Sequence, residues 1–279
     1  MKLKANAKIN LTLDVVGKRD DGYHLIDSVF QSISLCDTIC IEKSDKLVVR
    51  CTNNTIDSDS NIAYKAAQSF FEYTQISGGA FISIEKNIPL VSGMGGGSAD
   101  AAAVIIALDK LYDTNLDIKS LCEIGLAVGA DVPFCLIGGT MRVGGIGEKM
   151  EKLPDMPDCS ILVIKHGQKL STADMYKKID DSPIQIHTTP FMVDSIVSGD
   201  LSSVCKNVSN AFASVCDNTQ FVNDIKTTNP LGVSLTGSGP TVFAIYKDDK
   251  AATSALKLLA DKGYNPIVTK PVNQGIIFE

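Results

Sequence analysis

The sequence predicts an α+β fold, in which hairpin-like strands and helices are mixed rather than repeated as regular βαβ units. Three observations lead to this prediction. Residues 3–15 alternate between apolar and polar side chains, and this period of two indicates a half-buried strand. Residues 101–112 instead carry apolar side chains at helical spacing. Other strand-like and helix-like stretches follow in irregular order along the 279 residues.

The first third of the chain is predicted to be mainly strand, because it is rich in Ile, Val, Phe and Leu between short polar turns. A helix should begin near Ser60, since serine is a favoured N-cap residue. The polar residues 52–60 before it are interpreted as a loop. The predicted strands of this part lie at 3–15, 25–35, 38–42, 46–51 and 80–85.

Helices and strands alternate in the rest of the chain. The helix at 118–128 should stop before Val132-Pro133, because a proline and the residue before it do not continue a helix. The run 153–158 is the best candidate linker, which places domains at 1–153 and 159–279. The predicted helices are 101–112, 118–128, 172–180, 190–197, 204–217 and 249–262, and the predicted strands are 134–143, 160–165, both sides of the glycines in 232–246, and 265–270.

Composition narrows the classes of function. A net charge of −6 argues against nucleic-acid binding, which needs a basic surface. No apolar run is long enough to span a bilayer, and residues 1–8 lack the apolar core of a signal peptide, so we expect a cytoplasmic protein without a membrane partner. The eight cysteines show no paired spacing and are interpreted as reduced core thiols rather than zinc ligands.

A glycine-rich run directly before a helix is the strongest functional signal. Its glycines are Gly93, Gly95, Gly96 and Gly97. The first turn of the helix offers unpaired N–H groups and a favourable dipole, so we predict a phosphate-binding loop in preference to a plain turn. The Walker A motif lacks its lysine, and Ser98 stands where a Rossmann motif needs its third glycine. Ser98 could bind phosphate or metal, or could only cap the helix.

Asp131, Lys8 and Asn10 are candidates for catalytic chemistry, although each has an ordinary structural explanation. Asp131 lies in a short, apolar, sharply turned segment, where it could orient or deprotonate a hydroxyl or could bond its own turn. Lys8 and Asn10 share one face of the first strand. A lysine beside a carboxylate would keep it ionised, whereas a solvated strand face needs no such role.

Two further segments could contact a ligand. Tyr23 and His24 follow a glycine turn, where they could stack on a ring and hydrogen-bond to it, or could belong to an ordinary turn. Residues 236–241, Thr-Gly-Ser-Gly-Pro-Thr, lie between strand-like runs. Their glycines allow close approach to a ligand but also suit a hairpin connection.

The order and spacing of these five segments resemble the GHMP family of small-molecule kinases. Residues 89–103 are similar to the second motif of the family, a glycine loop around the ATP phosphates, and residues 235–243 are similar to its third. The resemblance runs through nearly the whole chain. It implies the two-domain architecture of the family, with a ribosomal S5 domain 2-like N-terminal domain and a ferredoxin-like C-terminal domain.

Other segments resemble one member of the family, which acts on a methylerythritol linked to cytidine diphosphate in the non-mevalonate isoprenoid pathway. They are residues 7–11, 21–24, 129–134 and 147–149. The resemblance implies that ATP gives its γ-phosphoryl group to the tertiary 2-hydroxyl of this substrate, with Mg²⁺ bridging the ATP phosphates. It also implies that Asp131 is the general base or hydroxyl-orienting carboxylate, and that Lys8 keeps Asp131 ionised and neutralises developing charge.

The same resemblance implies the binding residues. For ATP they are Asn61, Lys86, Pro89, Gly93, Met94, Gly95, Gly96, Gly97 and Ser98, and for the substrate they are Asn10, Tyr23, His24, Asp131, Thr172 and Tyr176. Tyr23 and Tyr176 would sandwich the cytosine. Asp100 departs from the asparagine often found in the family and adds negative charge near the phosphates. A monomer or a homodimer is expected.

Two alternatives remain open. The first is another GHMP kinase, acting on homoserine, mevalonate or a sugar; a small acyclic substrate has no base to stack, so Tyr23 and Tyr176 favour the cytidine substrate. The second is a nucleotide-binding protein without catalysis, which the presence of both Lys8 and Asp131 disfavours. A dinucleotide-dependent oxidoreductase is a more distant possibility, because of Ser98.

Overall fold

Two sheets with surrounding helices make up the described part of the chain. The computed structural model describes residues 1–52, 60–167, 171–181, 187–216 and 219–279. Its strands are β1 (Lys2–Lys18), β2 (His24–Ser44), β3 (Val48–Cys51), β4 (Gly79–Glu85), β5 (Thr140–Gly145), β6 (Lys149–Lys152), β7 (Ser160–Lys165), β8 (Gly232–Leu235), β9 (Thr241–Tyr246), β10 (Pro266–Thr269) and β11 (Ile276–Phe278). Its helices are α1 (Ile62–Thr74), α2 (Gly96–Leu111), α3 (Ile118–Val128), α4 (Val132–Ile137), α5 (Thr172–Asp180), α6 (Thr189–Ser198), α7 (Leu201–Lys206), α8 (Thr219–Lys226) and α9 (Asp249–Asp261).

The larger sheet has seven strands and the smaller sheet has four. The larger one runs β11-β1-β2-β4-β3, with β5 added beside β2 and β6 beside β5, and the smaller one runs β10-β7-β9-β8. Within the described residues the strand pairs are antiparallel except β3 with β4. This pattern confirms the predicted α+β class.

Strand β1 is more deeply buried than its alternating sequence predicts. Leu3 and Ala5 pack in one apolar cluster, whereas Ile9 and Leu11, beyond a register shift at Asn6–Ala7, pack in another. The polar side chains between them are buried too. Those of Lys8, Asn10, Thr12 and Asp14 are all within the protein. The prediction of a half-buried strand with a solvated face is therefore wrong, because other elements cover both faces of β1.

Helix α2 brings the glycine loop against the larger sheet. Its small residues allow a close approach, and every residue from Ala99 to Ile105 is buried. The helix begins at Gly96, and its first residues, Gly96, Gly97 and Ser98, are half-buried, whereas the residues that follow, up to Ile105, are covered. In this way the sheet and α2 together set the position of the glycine loop.

Several predicted elements need correction. The predicted strand 134–143 is wrong in its first half, which forms α4 with Pro133 in the first turn, where a missing N–H costs no hydrogen bond. The predicted helix 204–217 is wrong as one element. Helix α7 ends at Lys206, and Asn210 caps a separate 3-10 helix at Ala211–Val215.

Other differences concern boundaries and omissions. Helix α1 starts at Ile62 with Asn61, rather than Ser60, as its N-cap. The predicted strands 25–35 and 38–42 form one continuous strand, β2. Helix α8 and the short strands β6 and β11 were not anticipated. Residues 53–59 of the predicted loop 52–60 lie outside the described residues.

The last strand returns to the larger sheet. After β10 the chain crosses back, the Asn6 N–H donates to the Gly275 carbonyl oxygen at 2.8 Å, and β11 then pairs with β1. Leu153 and Met156 of the predicted linker are buried, so this segment is packed against the protein. The division into residues 1–153 and 159–279 stays a prediction. Strand β11 belongs to the second range in sequence but to the larger sheet in the structure.

In the described parts of the chain, none of the helices is both long and apolar enough to cross a membrane.

The return crossing provides a test of the packing. A Cβ on Gly275 would lie 1.8 Å from the Cys135 carbonyl oxygen, so Gly275→Ala forces backbone to move. We expect a loss of about 1–3 kcal/mol in the free energy of unfolding, the usual range for overpacking. Gly17→Ala is the control, because its Cβ would meet only the Leu25 side chain at 3.6 Å. Equal urea midpoints for the two variants would contradict the close crossing.

Candidate active site

The glycine loop connects β4 to α2 and has an unusual backbone. Gly93 and Gly95 adopt φ values of 78° and 70°, which only glycine takes easily, and Val91 adopts 52°, which is strained for a β-branched residue. Gly95 is the N-cap of α2. Ser98 is therefore the third residue of the helix, and the interpretation of Ser98 as its cap is wrong.

A second glycine segment packs directly on the first. A Cβ on Gly93 would lie 2.6 Å from the Thr236 carbonyl oxygen, and one on Gly237 would lie 2.8 Å from the Gly93 carbonyl oxygen. The Thr236 hydroxyl donates to the Gly93 carbonyl oxygen at 3.4 Å. The two segments that the sequence singled out separately thus form one backbone surface, and glycine is required because the two backbones are in contact.

Lys8 lies beneath this surface with its side chain only 4% exposed. Its ammonium nitrogen is 3.3 Å from Asp131 Oδ2, donates to Asn10 Oδ1 at 3.0 Å, and sits 4.2 Å from the centroid of the Phe30 ring. Its backbone N–H donates to the Met94 carbonyl oxygen at 3.0 Å. Strand β1 thereby holds both the Lys8 ammonium and the glycine loop in place.

Asp131 ends the turn between α3 and α4. It occupies the N-cap position of α4 but makes no side-chain capping bond there, so the interpretation as an acidic turn residue bonding its own backbone is not supported. Its carboxylate instead pairs with Lys8 and keeps a side-chain exposure of 35%. A carboxylate that is paired on one side and open on the other can accept a hydroxyl proton.

Asn10 is fully buried, and its amide is occupied within the protein. Its Oδ1 accepts from the Lys8 ammonium and from the Gly237 N–H at 2.8 Å, and its Nδ2 donates to the Ser28 hydroxyl at 3.2 Å. Asn10 thus links Lys8 to the second glycine segment. A direct contact of Asn10 with substrate stays a prediction.

These groups surround a cavity of about 670 Å³. The ion pair of Lys8 and Asp131 lines it together with the glycine loop. The other predicted site residues on its wall are Asn10, Asn61, Lys86, Pro89, Gly93, Gly95, Gly96, Gly97, Ser98, Thr172 and Tyr176. The structure therefore brings the predicted ATP-binding and catalytic residues together around one space.

The predicted ATP residues differ in how they are held. Asn61 caps α1 by accepting the Ala63 N–H at 2.9 Å. Met94 is fully buried, so its side chain anchors the loop. Lys86 is buried between two carboxylates, Asp37 and Asp100. Burial raises the pKa of Asp100, although the Lys86 ammonium opposes this rise.

Of the remaining predicted substrate residues, Thr172 and Tyr176 line the cavity, whereas Tyr23 and His24 do not. Thr172 starts α5 with its hydroxyl 3.1 Å from that of Ser238. The rings of His24 and Tyr176 are stacked, 4.2 Å apart and within 10° of parallel. Burial, with a smaller contribution from the Asp131 charge, raises the pKa of Tyr176 to about 12. Tyr23 is 61% exposed, and the ring nearest to Tyr176 is that of His24.

Sequence reasoning missed three residues of this arrangement. Phe30 lies under the Lys8 ammonium, Asp180 Oδ1 is 2.6 Å from His24 Nε2, and Asp37 holds Lys86. Asp180 follows Tyr176 by four residues on α5, so helical spacing could have indicated it. Phe30 and Asp37 come from the middle of β2, and their role depends on strand pairing that the sequence alone does not reveal.

Comparison with known proteins identifies the family of the chain. The family model described as the GHMP kinases N terminal domain matches residues 61–139, and that described as the GHMP kinases C terminal matches residues 192–265.

Curated relatives share much of the sequence. The 4-diphosphocytidyl-2-C-methyl-D-erythritol kinase of Caldicellulosiruptor saccharolyticus is 43% identical over 91% of this chain and 91% of its own. That of Clostridium tetani is 41% identical over 96% of this chain and 98% of its own.

Solved structures share the fold over the whole chain. A crystal structure of 4-(cytidine 5'-diphospho)-2C-methyl-D-erythritol kinase matches with a TM-score of 0.79 and 28% identity, covering 97% of this chain and 99% of that one. A homoserine kinase from Cytophaga hutchinsonii matches with a TM-score of 0.77 and 21% identity, covering 99% and 96%, and supports the fold alone. The chain therefore has the two-domain fold of the GHMP kinases and belongs to that family, within its group of 4-diphosphocytidyl-2-C-methyl-D-erythritol kinases.

Proposed function

We propose that the chain transfers the γ-phosphoryl group of ATP to the 2-hydroxyl of 4-diphosphocytidyl-2-C-methyl-D-erythritol. The names of the relatives support the substrate. The observation that carries the chemistry is the Lys8–Asp131 pair, whose atoms are 3.3 Å apart on the wall of the cavity that the glycine loop also lines. A cytoplasmic location belongs to the same proposal, because the scattered spacing of the eight cysteines suits reduced thiols, which persist in that compartment.

The glycine loop would hold the ATP phosphates. Residues 93–97 bring backbone N–H groups to the start of α2, where the helix dipole also favours negative charge. The second glycine segment closes the surface behind Gly93. The glycines of the loop have no side chains, so the phosphates can approach the backbone closely. A terminal phosphate bound at this loop would face the cavity that Asp131 also lines.

Asp131 would act on the hydroxyl of the substrate. The hydroxyl oxygen forms a bond to the γ-phosphorus, the bond from that phosphorus to the oxygen of ADP breaks, and the hydroxyl proton passes to the Asp131 carboxylate. Lys8 supports this step electrostatically, because its ammonium lies 3.3 Å from Asp131 Oδ2 and can offset charge that develops on the transferred group. Positioning and electrostatic stabilisation are the main sources of rate in phosphoryl transfer.

Magnesium is part of the proposal as a partner of ATP. Mg²⁺ is bound through oxygen atoms and commonly takes only one or two carboxylates in addition to substrate phosphates. Ser98, on the cavity wall beside the glycine loop, offers a hydroxyl oxygen, and no group of three or more metal-binding side chains occurs in the described residues. This donor set fits an ion held mainly by ATP. When bound, the ion would neutralise charge on the phosphates.

The cytidine end of the substrate would bind between the turn after β1 and helix α5. Tyr176 offers a ring for stacking, and the exposed Tyr23 can approach from the turn. In the present arrangement His24 covers one face of Tyr176, so a base that stacks on that face must displace the His24 ring. The displaced His24 ring would lie near the edge of the base, where one of its nitrogens can form a hydrogen bond.

One assay separates this function from its alternatives. ADP release is measured with ATP and, in turn, the cytidine-linked alcohol, homoserine and mevalonate. We expect turnover with the cytidine-linked alcohol at least a hundredfold above the other two. Turnover only with homoserine or mevalonate would identify a different GHMP kinase. ATP binding without ADP release from any of them would favour a non-catalytic nucleotide-binding protein.

Asp131→Asn tests the catalytic base. The amide keeps the size of the side chain but cannot take the hydroxyl proton, so kcat should fall by about 10²- to 10⁴-fold. Binding of a non-hydrolysable ATP analogue should change less than twofold. Glu123→Gln, an exposed carboxylate on α3, is the control. An unchanged kcat in Asp131→Asn would exclude the assigned role.

Tyr23→Ala tests stacking on the cytosine. Because the side chain is 61% exposed, its loss should cost little stability. Stacking of a base on an aromatic ring contributes about 1–3 kcal/mol, so KM for the cytidine substrate should rise by roughly 5- to 150-fold while KM for ATP stays constant. Tyr73→Ala removes an exposed tyrosine on α1 and serves as the control. If both KM values rise equally, Tyr23 has a structural role only.

A further inference from the structure

A buried group of three charges lies beside the glycine loop, outside the residues assigned above to catalysis. The Lys86 ammonium contacts Asp37 Oδ2 at 2.5 Å and Asp100 Oδ2 at 2.7 Å. The side chains are 5%, 0% and 5% exposed, respectively. Two carboxylates thus share a single ammonium away from water, and we call Asp37, Lys86 and Asp100 the charge cluster.

The cluster connects both ends of the glycine loop. Lys86 lies just before the loop, and Asp100 lies in the first turns of α2, just after it. The ion pair between them therefore closes the chain around residues 87–99. The two ends also pack together, because a Cβ on Gly96 would lie 3.0 Å from Ile88 and 3.4 Å from the Lys86 ammonium.

Asp37 ties the entrance of the loop to the larger sheet. It lies on β2 and is fully buried. Its Oδ1 accepts the N–H groups of Asn87 at 2.6 Å and Ile88 at 2.8 Å, while its Oδ2 accepts from Lys86. One carboxylate thus satisfies two backbone donors at the point where the chain enters the loop, and such charge-assisted bonds are strong.

The loop between these ends needs external support. Val91 has a φ of 52°, and strained backbone of this kind persists only when its surroundings determine it. Fixing the two ends lowers the entropy that the loop would otherwise lose when it binds a ligand. The cluster also leaves Lys86 little freedom to move to a phosphate, because its ammonium is held on two sides.

We propose that Asp37 and Asp100 are positioning residues for the nucleotide, which act through Lys86 to hold the glycine loop in its phosphate-binding conformation. This inference rests on the proposed role of the loop in binding ATP, but not on the identity of the phosphate acceptor. Asp37 has the larger effect because it also holds the backbone of residues 87 and 88. Lys86 contributes as the link between the two carboxylates.

Binding of a non-hydrolysable ATP analogue, measured by titration calorimetry, tests the proposal. In Asp37→Asn the side chain has one acceptor oxygen instead of two, so it cannot accept both from the two backbone N–H groups and from Lys86. We therefore expect the Kd for the analogue to rise at least tenfold. In Asp100→Asn an oxygen still faces Lys86, and the expected rise is about threefold. The Kd for the cytidine-linked alcohol should change less than twofold in both variants.

Asp14→Asn is the matched control. Asp14 is also a fully buried carboxylate that accepts a backbone N–H, that of Thr189 at 2.8 Å, but it does not contact the glycine loop. Both ligands should bind this variant within twofold of the wild type. Amide hydrogen exchange at residues 87–98 should be faster in Asp37→Asn than in Asp14→Asn, because only the first loses bonds to the loop.

Three outcomes would overturn the proposal. The first is an unchanged Kd for the ATP analogue in Asp37→Asn. The second is an equal loss of affinity for both ligands, which would mean that Asp37 supports the fold alone. The third comes from a second pair of variants.

If Asp37→Asn does not fold, Lys86→Met and Lys86→Met/Asp100→Asn are compared. The double variant should bind the analogue better than Lys86→Met, because it leaves one fewer carboxylate unpaired, and weaker or equal binding is the third overturning outcome.

Discussion

A lysine ammonium that water barely reaches must be balanced by partners inside the protein. Lys8 is such a residue, and its partners meet at one point of the fold. An amide oxygen, a carboxylate and the face of an aromatic ring surround it, and they come from β1, from the turn between α3 and α4, and from β2. Loss of any of these contacts leaves the buried charge of Lys8 less well compensated, which is costly. The position of Lys8 therefore determines where those three parts of the chain can meet, and with them the two glycine segments.

Strand β1 combines two tasks that proteins usually keep apart. Its apolar residues contribute to the cores on which stability depends, while its polar residues form a buried row that reaches from Lys8 to Asp14. Because the same backbone carries both, the site has no freedom to drift relative to the core. Catalytic groups held on rigid elements are positioned more accurately than groups on loops.

The sequence allowed the elements with strong local signals to be predicted. The helix 118–128 and the strand 160–165 have the predicted bounds, since periodicity and flanking residues agree there. The first half of 134–143 was misassigned because Pro133 was treated as a helix breaker, although it stands in the first turn of α4. The site residues were recognised by motif, but Asp37 and Phe30 were not. Their functions arise from pairing between distant strands, which no local pattern in β2 encodes.

The pairing of the final strand with the first has a consequence for how the protein is made. Strand β1 leaves the ribosome more than two hundred and fifty residues before its partner β11. Domains commonly fold as units during synthesis, beginning with the N-terminal one. Here one edge of the larger sheet stays open until residue 278 has been translated. The nascent chain must therefore keep an unpaired strand edge from associating with its neighbours while the residues between β1 and β11 are translated.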